Sequence, residues 1–448
     1  MHPTPVAEAP SLAFGLPFAG LLLSIALLPL LAPHWWERRF PLVVVAWALL
    51  FVLPYGLARG AEAAGAELLE TLAHEYVPFI LLLLALFVVA GGIRIAGNVV
   101  GTPGTNVGFL AAGTLLASVL GTTGAAMLLI RPLIRANADR RHKTHVFVFF
   151  IFLVCNIGGA LTPLGDPPLF LGFLRGVGFG WTVGAMAPPM ALAAGGLLVT
   201  FALLDRWHWR REPVVVPSHV PRRLDVEGAY NAVFLTAVVG AVLVSGLWHP
   251  GGEIPVGLGV TVRAENLARD TALMAIAALS YAVTPARIRI ENAFTWVPIR
   301  EVAILFAGLF ITIVPVLGAL GAGEAGPFAP LLRLVNRPDG SPIEANYFWL
   351  TGGLSSFLDN APTYLVFFDV AGGDPARLMG ADAATLLAIS CGAVFMGANT
   401  YIGNAPNFMV RAICEEQGIH MPGFFGYLAW SGLILLPLFG LVTAAFFR

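Results

Sequence analysis

Charge is scarce in this 448-residue chain: Asp, Glu, Lys and Arg together make up 11% of it, against about 25% in a soluble domain. Lysine is almost missing, Lys143 standing alone among 25 basic residues, a bias read as codon usage and not as chemistry. The three cysteines, Cys155, Cys391 and Cys414, lie in or beside apolar segments, so no disulfide framework is implied. Absence of a Walker A sequence, a dinucleotide fingerprint and a CxxC pair leaves no sign of a nucleotide-driven pump or a redox protein. The span ends lack the His/Glu/Ser or metal-ligand cluster that a bilayer enzyme needs. His142 and His145 share a basic loop with Lys143 and read as solvated. The N-terminus lacks a basic n-region and an A-x-A site, so the first apolar run is expected to be kept as a helix.

What the chain does have is apolar side chains, 58% of all residues, with a mean hydropathy of +0.81. That excludes a cytosolic enzyme, a disordered chain and a nucleic-acid binder. Long apolar blocks also exclude a β-barrel, whose strands alternate in short runs. The fold class is therefore an all-α polytopic membrane protein. The 26 acidic and 25 basic residues leave a net charge of −1, which points to no partner; their positions carry the information.

A helix needs about 20 mostly apolar residues to cross about 30 Å of hydrocarbon. Full-length candidates are 13–32, 41–58, 77–93, 183–204, 230–248, 268–284, 301–320 and 423–446. The stretches 146–180 and 384–411 are longer and interrupted by Gly, Pro, Asn and Asp. Two others, 106–130 and 346–370, break midway at small and polar residues and read as re-entrant hairpins. With the N-terminus outside, 17 of the 25 basic residues fall on the cytoplasmic side and 8 on the other, as the bias of short loops requires. Loop 59–76, with Glu62, Glu67, Glu70 and Glu75, then faces outward, while Arg333 and Arg337 run against the bias. Arg94, Arg131, Arg175 and Arg411, at span ends, are expected to snorkel. Asp369 is expected at the outer surface.

Two pairs of segments match at one offset. Ser118–Thr123 precedes Ser356–Ala361 by 238 residues, and Gly159–Pro168 precedes Gly397–Pro406 by the same 238. The charge pattern gives the halves opposite orientations, so the expectation is two inverted repeats, each with a re-entrant hairpin and a broken helix, as in secondary transporters. The division expected is 1–76 as N-terminal spans, 77–204 as the first repeat with hairpin 106–130, 205–296 as cytoplasmic linker and connecting spans, and 297–448 as the second repeat with hairpin 346–370.

Irregular backbone at membrane depth survives only when buried in protein or lining a wet cavity. Four such stretches, 121–124, 156–168, 359–363 and 397–407, are rich in Thr, Asn, Gly and Asp. Their candidate ion- or substrate-binding residues are Thr122, Thr123, Asn156, Thr162, Asp166, Asp359, Asn360, Thr363, Asn399, Thr400, Asn404 and Asn407. Carbonyl and carboxylate oxygens suit a hard cation such as sodium, and helix N-termini suit an anion. Asp166 and Asp359 are the candidate sodium ligands, although both acids could equally serve as helix N-caps. Poor solvation favours a protonated carboxylate and a bound cation opposes it, so one acid can exchange sodium against a proton.

These motifs resemble a known family. Asn156–Ala160 through Gly165–Pro168 is similar to the NIGGA…GDPP signature of the ArsB/NhaD permeases in the ion transporter superfamily, more distantly related to the citrate (CitMHS) and dicarboxylate/sodium families. Ser355–Pro362 resembles the second hairpin tip of NhaD-type sodium/proton antiporters, Gly397–Asn399 with Ile402–Gly403 resembles the second-half break, and Leu305–Phe310 resembles the span that opens the second half. The resemblance implies an inverted-repeat fold, a scaffold that often forms homodimers, and elevator-type movement of the hairpin domain. The first hairpin tip of such proteins carries Asp-Asn or Ser-Asn, where this chain has Gly121-Thr122-Thr123.

The expected function is secondary active transport and not enzymatic: sodium(lithium)/proton antiport by a multi-pass protein of the bacterial inner membrane. No cofactor is expected beyond the sodium ion and proton as transported or coupling ions. The partners are small ions or small organic anions and the lipid bilayer, without nucleic acid. An organic-anion (citrate/dicarboxylate) carrier is the alternative, followed by an arsenite permease. An anion carrier would want a cation facing its substrate, and no arginine is placed mid-span, although Asn, Thr and backbone amides could still hold a carboxylate.

Overall fold

With no water in the hydrocarbon to satisfy backbone N–H and C=O groups, long apolar runs can cross only as helices. The computed structural model describes residues 12–212, 222–320, 322 and 326–448. Residues 1–11 of the expected N-terminal region and 213–221 of the expected linker lie outside the described residues. The chain opens with α1 (Leu16–Leu31), α2 (Pro33–Arg59) and α3 (Ala61–Thr71), which continues through a π turn (Leu72–Tyr76) into α4 (Val77–Ala90). The expected loop at 59–76 is thus almost wholly helical. Its Ala-, Glu- and Leu-rich sequence is made of strong helix formers, and Glu67 accepts a hydrogen bond from the buried Tyr55 of α2.

The first repeat segment holds α5 (Pro103–Leu120), α6 (Thr122–Ala136), α7 (Thr144–Leu153), a 3-10 turn (Ile157–Leu161), α8 (Pro167–Leu174) and α9 (Phe179–Trp209). Connecting elements follow: α10 (Asn231–Leu247), α11 (Ala264–Val283) and α12 (Ala286–Glu291). Two short antiparallel pairs flank them, β1 (Arg94–Asn98) with β2 (Arg222–Glu227) and β3 (Glu253–Gly257) with β4 (Val260–Arg263). The second segment holds α13 (Val297–Leu320), α14 (Ala329–Val335), α15 (Glu344–Ser355), α16 (Asn360–Val370), α17 (Pro375–Met379), α18 (Ala383–Met396), a 3-10 turn (Gly397–Asn399), α19 (Ala405–Glu416) and α20 (Phe424–Phe446). Among the described residues, seven helical segments are long and apolar enough to cross a membrane. The protein is all-α and polytopic.

A helix that is apolar all round belongs in the middle of a bundle. Accordingly, every residue from Val146 to Cys155 is fully buried, and α18 is buried over nearly all its length. Both helices run into the broken stretches, so the breaks sit at the centre of the protein. The two breaks repeat one local pattern at the 238-residue offset. Ser118 Oγ donates to the Gly158 carbonyl at 2.5 Å, and Ser356 Oγ donates to the Met396 carbonyl at 3.1 Å. Thr162 and Thr400 donate to the Ser118 and Ser356 carbonyls, each at 2.5 Å. Leu164 and Ile402 amides return bonds to those threonine hydroxyls at 3.1 and 3.2 Å.

Below the first hairpin lies a buried polar network. Asp205 of α9 lies 2.5 Å from Arg140 Nη2 and 2.8 Å from His145 Nε2, and accepts from Asn106 Nδ2 at 3.0 Å. His145 is 3% exposed, so it is no solvated loop residue; the acid one turn inside α9 draws it inward. Removing one partner of a buried ion pair strands the other charge, at a cost of about 3–5 kcal/mol. Asp205→Ala should therefore lower the thermal unfolding temperature in detergent markedly, whereas truncating the exposed Arg377–Asp382 pair should leave it nearly unchanged.

Candidate functional site

The two breaks fold back so closely that only glycine fits. A Cβ on Gly165 would lie 2.2 Å from the Gly159 carbonyl oxygen, and one on Gly403 would lie 2.6 Å from that of Gly397. Asp166 follows, held extended (φ −143°, ψ 142°) by the proline after it. It stands at the N-cap of α8 but its side chain makes no capping bond, so the cap reading fails for this acid. Asp359 does cap, accepting from the Ala361 amide at 3.3 Å at the start of α16.

The uncapped Asp166 carboxylate is 1% exposed and points at the other half of the protein. Thr122 Oγ1 and Asn404 Nδ2 each donate to its Oδ1 at 3.2 Å, and Asn360 Nδ2 donates to its Oδ2. All three donors are neutral, and no Arg, Lys or His pairs with it among the described residues. The contacts join residues equivalent at the 238-residue offset: Asp166 meets Asn404, and Thr122 and Asn360 both meet Asp166.

Beside them is a cavity of about 70 Å³, walled by Thr122, Thr123, Asp166, Asp359 and Asn404 and by apolar side chains including Phe79 and Phe306. No basic side chain lines it. Asn360 Oδ1 is buried without a hydrogen-bond partner, leaving one acceptor oxygen free next to the acid. Carboxylate and amide oxygens form the donor set a hard cation takes. No cluster of three or more His, Cys, Asp or Glu occurs among the described residues.

The other expected site residues take supporting places. Asn156 Nδ2 donates to Asn407 Oδ1 at 2.8 Å, and Asn407 Nδ2 in turn donates to the carbonyls of Gly397 and Thr400, both at 2.9 Å. Asn399 donates to Ser356 Oγ at 2.9 Å and Thr363 to the Asp359 carbonyl at 3.0 Å. With Thr162 and Thr400, they bind the breaks and the hairpin tip together and do not line the cavity. The apolar walls from α4 and α13 escaped sequence reasoning, because nothing in a run of Phe and Leu marks the face turned toward a site. Ser118 and Ser356 were within reach, since they open the matched segments.

The structure also accounts for the missing acid of the first tip. Gly121 has φ +76° and ψ 151°, a region essentially restricted to glycine that costs other residues about 1–3 kcal/mol. Gly121→Asp should therefore reduce the yield of folded protein on size exclusion and not add an ion site. Asp166→Asn keeps shape and removes the titratable charge; it should lower transport roughly tenfold or more at normal expression, measured as solute flux in vesicles.

Over residues 7–447 the chain matches the family described as "Putative citrate transport". No curated protein matches it. The match covers nearly the whole sequence, including both hairpins, both breaks and the cavity wall. The chain is a membrane transporter and not an enzyme, and it belongs to the putative citrate transport family.

Proposed function

We propose that this carrier exchanges sodium or lithium for protons across the bacterial inner membrane, with Asp166 as the carboxylate at which the two cations compete. The observation that carries this reading is a buried acid with three neutral donors and no basic partner, beside a second acid in a cavity without cationic side chains. A charge buried alone costs several kcal/mol, so the site demands neutralisation. A proton or a metal cation supplies it, and each excludes the other. Asp359, on the same cavity wall, offers a second carboxylate, and Asn360 Oδ1 a neutral oxygen. An organic polyanion would meet two carboxylates of its own sign there.

The family description favours a second reading, an organic-anion carrier of the citrate or dicarboxylate type. One feature agrees with it: the N-terminal residues of α6, α8, α16 and α19 converge on Asp166, and helix N-termini attract anions. With Asp166 protonated, those termini would be free for a carboxylate substrate. Nothing in the geometry favours arsenite.

Dissipation of a pH gradient in everted vesicles separates the readings, with sodium, lithium, potassium, citrate and arsenite added one at a time. Sodium and lithium should each collapse the gradient and citrate should not; citrate alone acting would sink the antiport. Competition adds a sign: a proton taken up by the carboxylate displaces sodium, so apparent sodium affinity should weaken as pH falls. Asp359→Asn should flatten that dependence if the second acid shares the competition. For the inverted topology, cysteines placed at exposed positions between α6 and α7, such as Ala138, and between α16 and α18, such as Gly372, should label from opposite sides of the membrane. Labelling of both from one side would reject it.

A further inference from the structure

Away from the cavity, the far ends of the hairpin arms carry charged groups that ion binding at Asp166 does not use. Arg175, just past α8, is held between two carboxylates. Its Nε donates to Glu75 Oε1 at 2.8 Å, its Nη2 lies 2.6 Å from the same oxygen, and its Nη1 donates to Asp369 Oδ1 at 3.2 Å. Asp369 lies at the C-terminal end of α16, and Glu75 in the π turn before α4. Snorkelling of Arg175 and an outer-surface Asp369 were expected; the two helix ends bring acid and base into one half-buried triad. Here α8 and α16 pack so tightly that a Cβ on Gly172 would lie 2.4 Å from the Tyr364 hydroxyl.

The 238-residue offset carries Asp369 onto Arg131 of α6 and α8 onto α19, whose last residue is Glu416. As α8 packs on α16, so α6 packs on α19. Arg131 forms no salt bridge among the described residues, and its Nη1 is buried without a hydrogen-bond partner. One end of the repeat pair has therefore closed its ion pair. At the other end, the equivalent elements carry charges of reversed sign, still apart.

We propose that these are the two latches of an alternating-access cycle. Arg175 with Asp369 and Glu75 holds one mouth shut, and Arg131 with Glu416 closes the opposite mouth in the alternate state. A carrier must interconvert two states of similar free energy. An ion pair present in only one of them would bias the cycle, and a counterpart formed only in the other offsets that bias. The inference rests on the chain being a transporter and on the inverted topology proposed above, not on which solute it moves.

The test uses the full-length protein in proteoliposomes, with Cys155, Cys391 and Cys414 replaced by alanine and Arg131→Cys and Glu416→Cys introduced as reporters. Copper phenanthroline oxidises the two thiols to a disulfide when the second mouth closes. Asp369→Asn, which breaks the first latch, should raise the cross-linking rate by about threefold or more. Asp369→Glu, which keeps the charge, should leave it near the parent value. Should Asp369→Asn aggregate, Glu75→Gln loosens the same arginine and carries the same expectation. An unchanged or slower rate in the loosened variant overturns the latch. No transported solute enters the measurement, so its failure leaves ion exchange standing, and a protein that moves no sodium would still report the latch.

Discussion

The structure depends on one constraint: a helix broken inside a membrane must have its freed backbone groups satisfied by protein. Each break here is satisfied by a serine from the neighbouring hairpin and a threonine from the break itself, bonded to each other's backbone. Glycine pairs let the strands of each break approach within van der Waals contact. The surrounding helices, α7 and α18, can then be apolar on every face and buried throughout. The site exists because this stitching leaves four helix N-termini and their polar side chains pointing at one spot.

At that spot the two halves are not chemically equal. Asp166 in the first break corresponds to Asn404 in the second, and Gly121 at the first tip corresponds to Asp359 at the second. Each half contributes one acid, but from a different element. One acid is uncapped and faces the opposite half; the other caps its own helix. A single buried negative charge among neutral donors is a strained arrangement in low dielectric, and the ion exchange proposed above draws on that strain. The flanking phenylalanines of α4 and α13 make much of the cavity wall apolar, and a low local dielectric strengthens electrostatic interactions.

Polar groups at a distance serve other ends. The Asp205–Arg140–His145 network fastens the base of the first hairpin to α9, with nearly every partner buried. The Arg175 triad is only half-buried, so under the proposal above it can form and break at lower cost than a fully buried pair.

Composition, span lengths and the 238-residue offset determined the all-α membrane class, the positions of the helix breaks, and the place of Asp166 in one of them, because these rest on hydrophobic length and local backbone chemistry. Gly-Asp-Pro-Pro in a long apolar run can be read without coordinates. Local sequence also had the information to extend α3 through 61–71, but an acidic face there looked like a loop. Tertiary structure alone decided that Asp166 leaves its own helix uncapped and takes its partners from Thr122, Asn360 and Asn404. It decided as well that His145 and Arg175 are paired inside the protein. Those contacts span 44 to 238 residues of chain, 60 for His145 and 100 and 194 for Arg175; which polar side chain meets which across such separations is set by the packing of whole helices, a quantity no local pattern encodes.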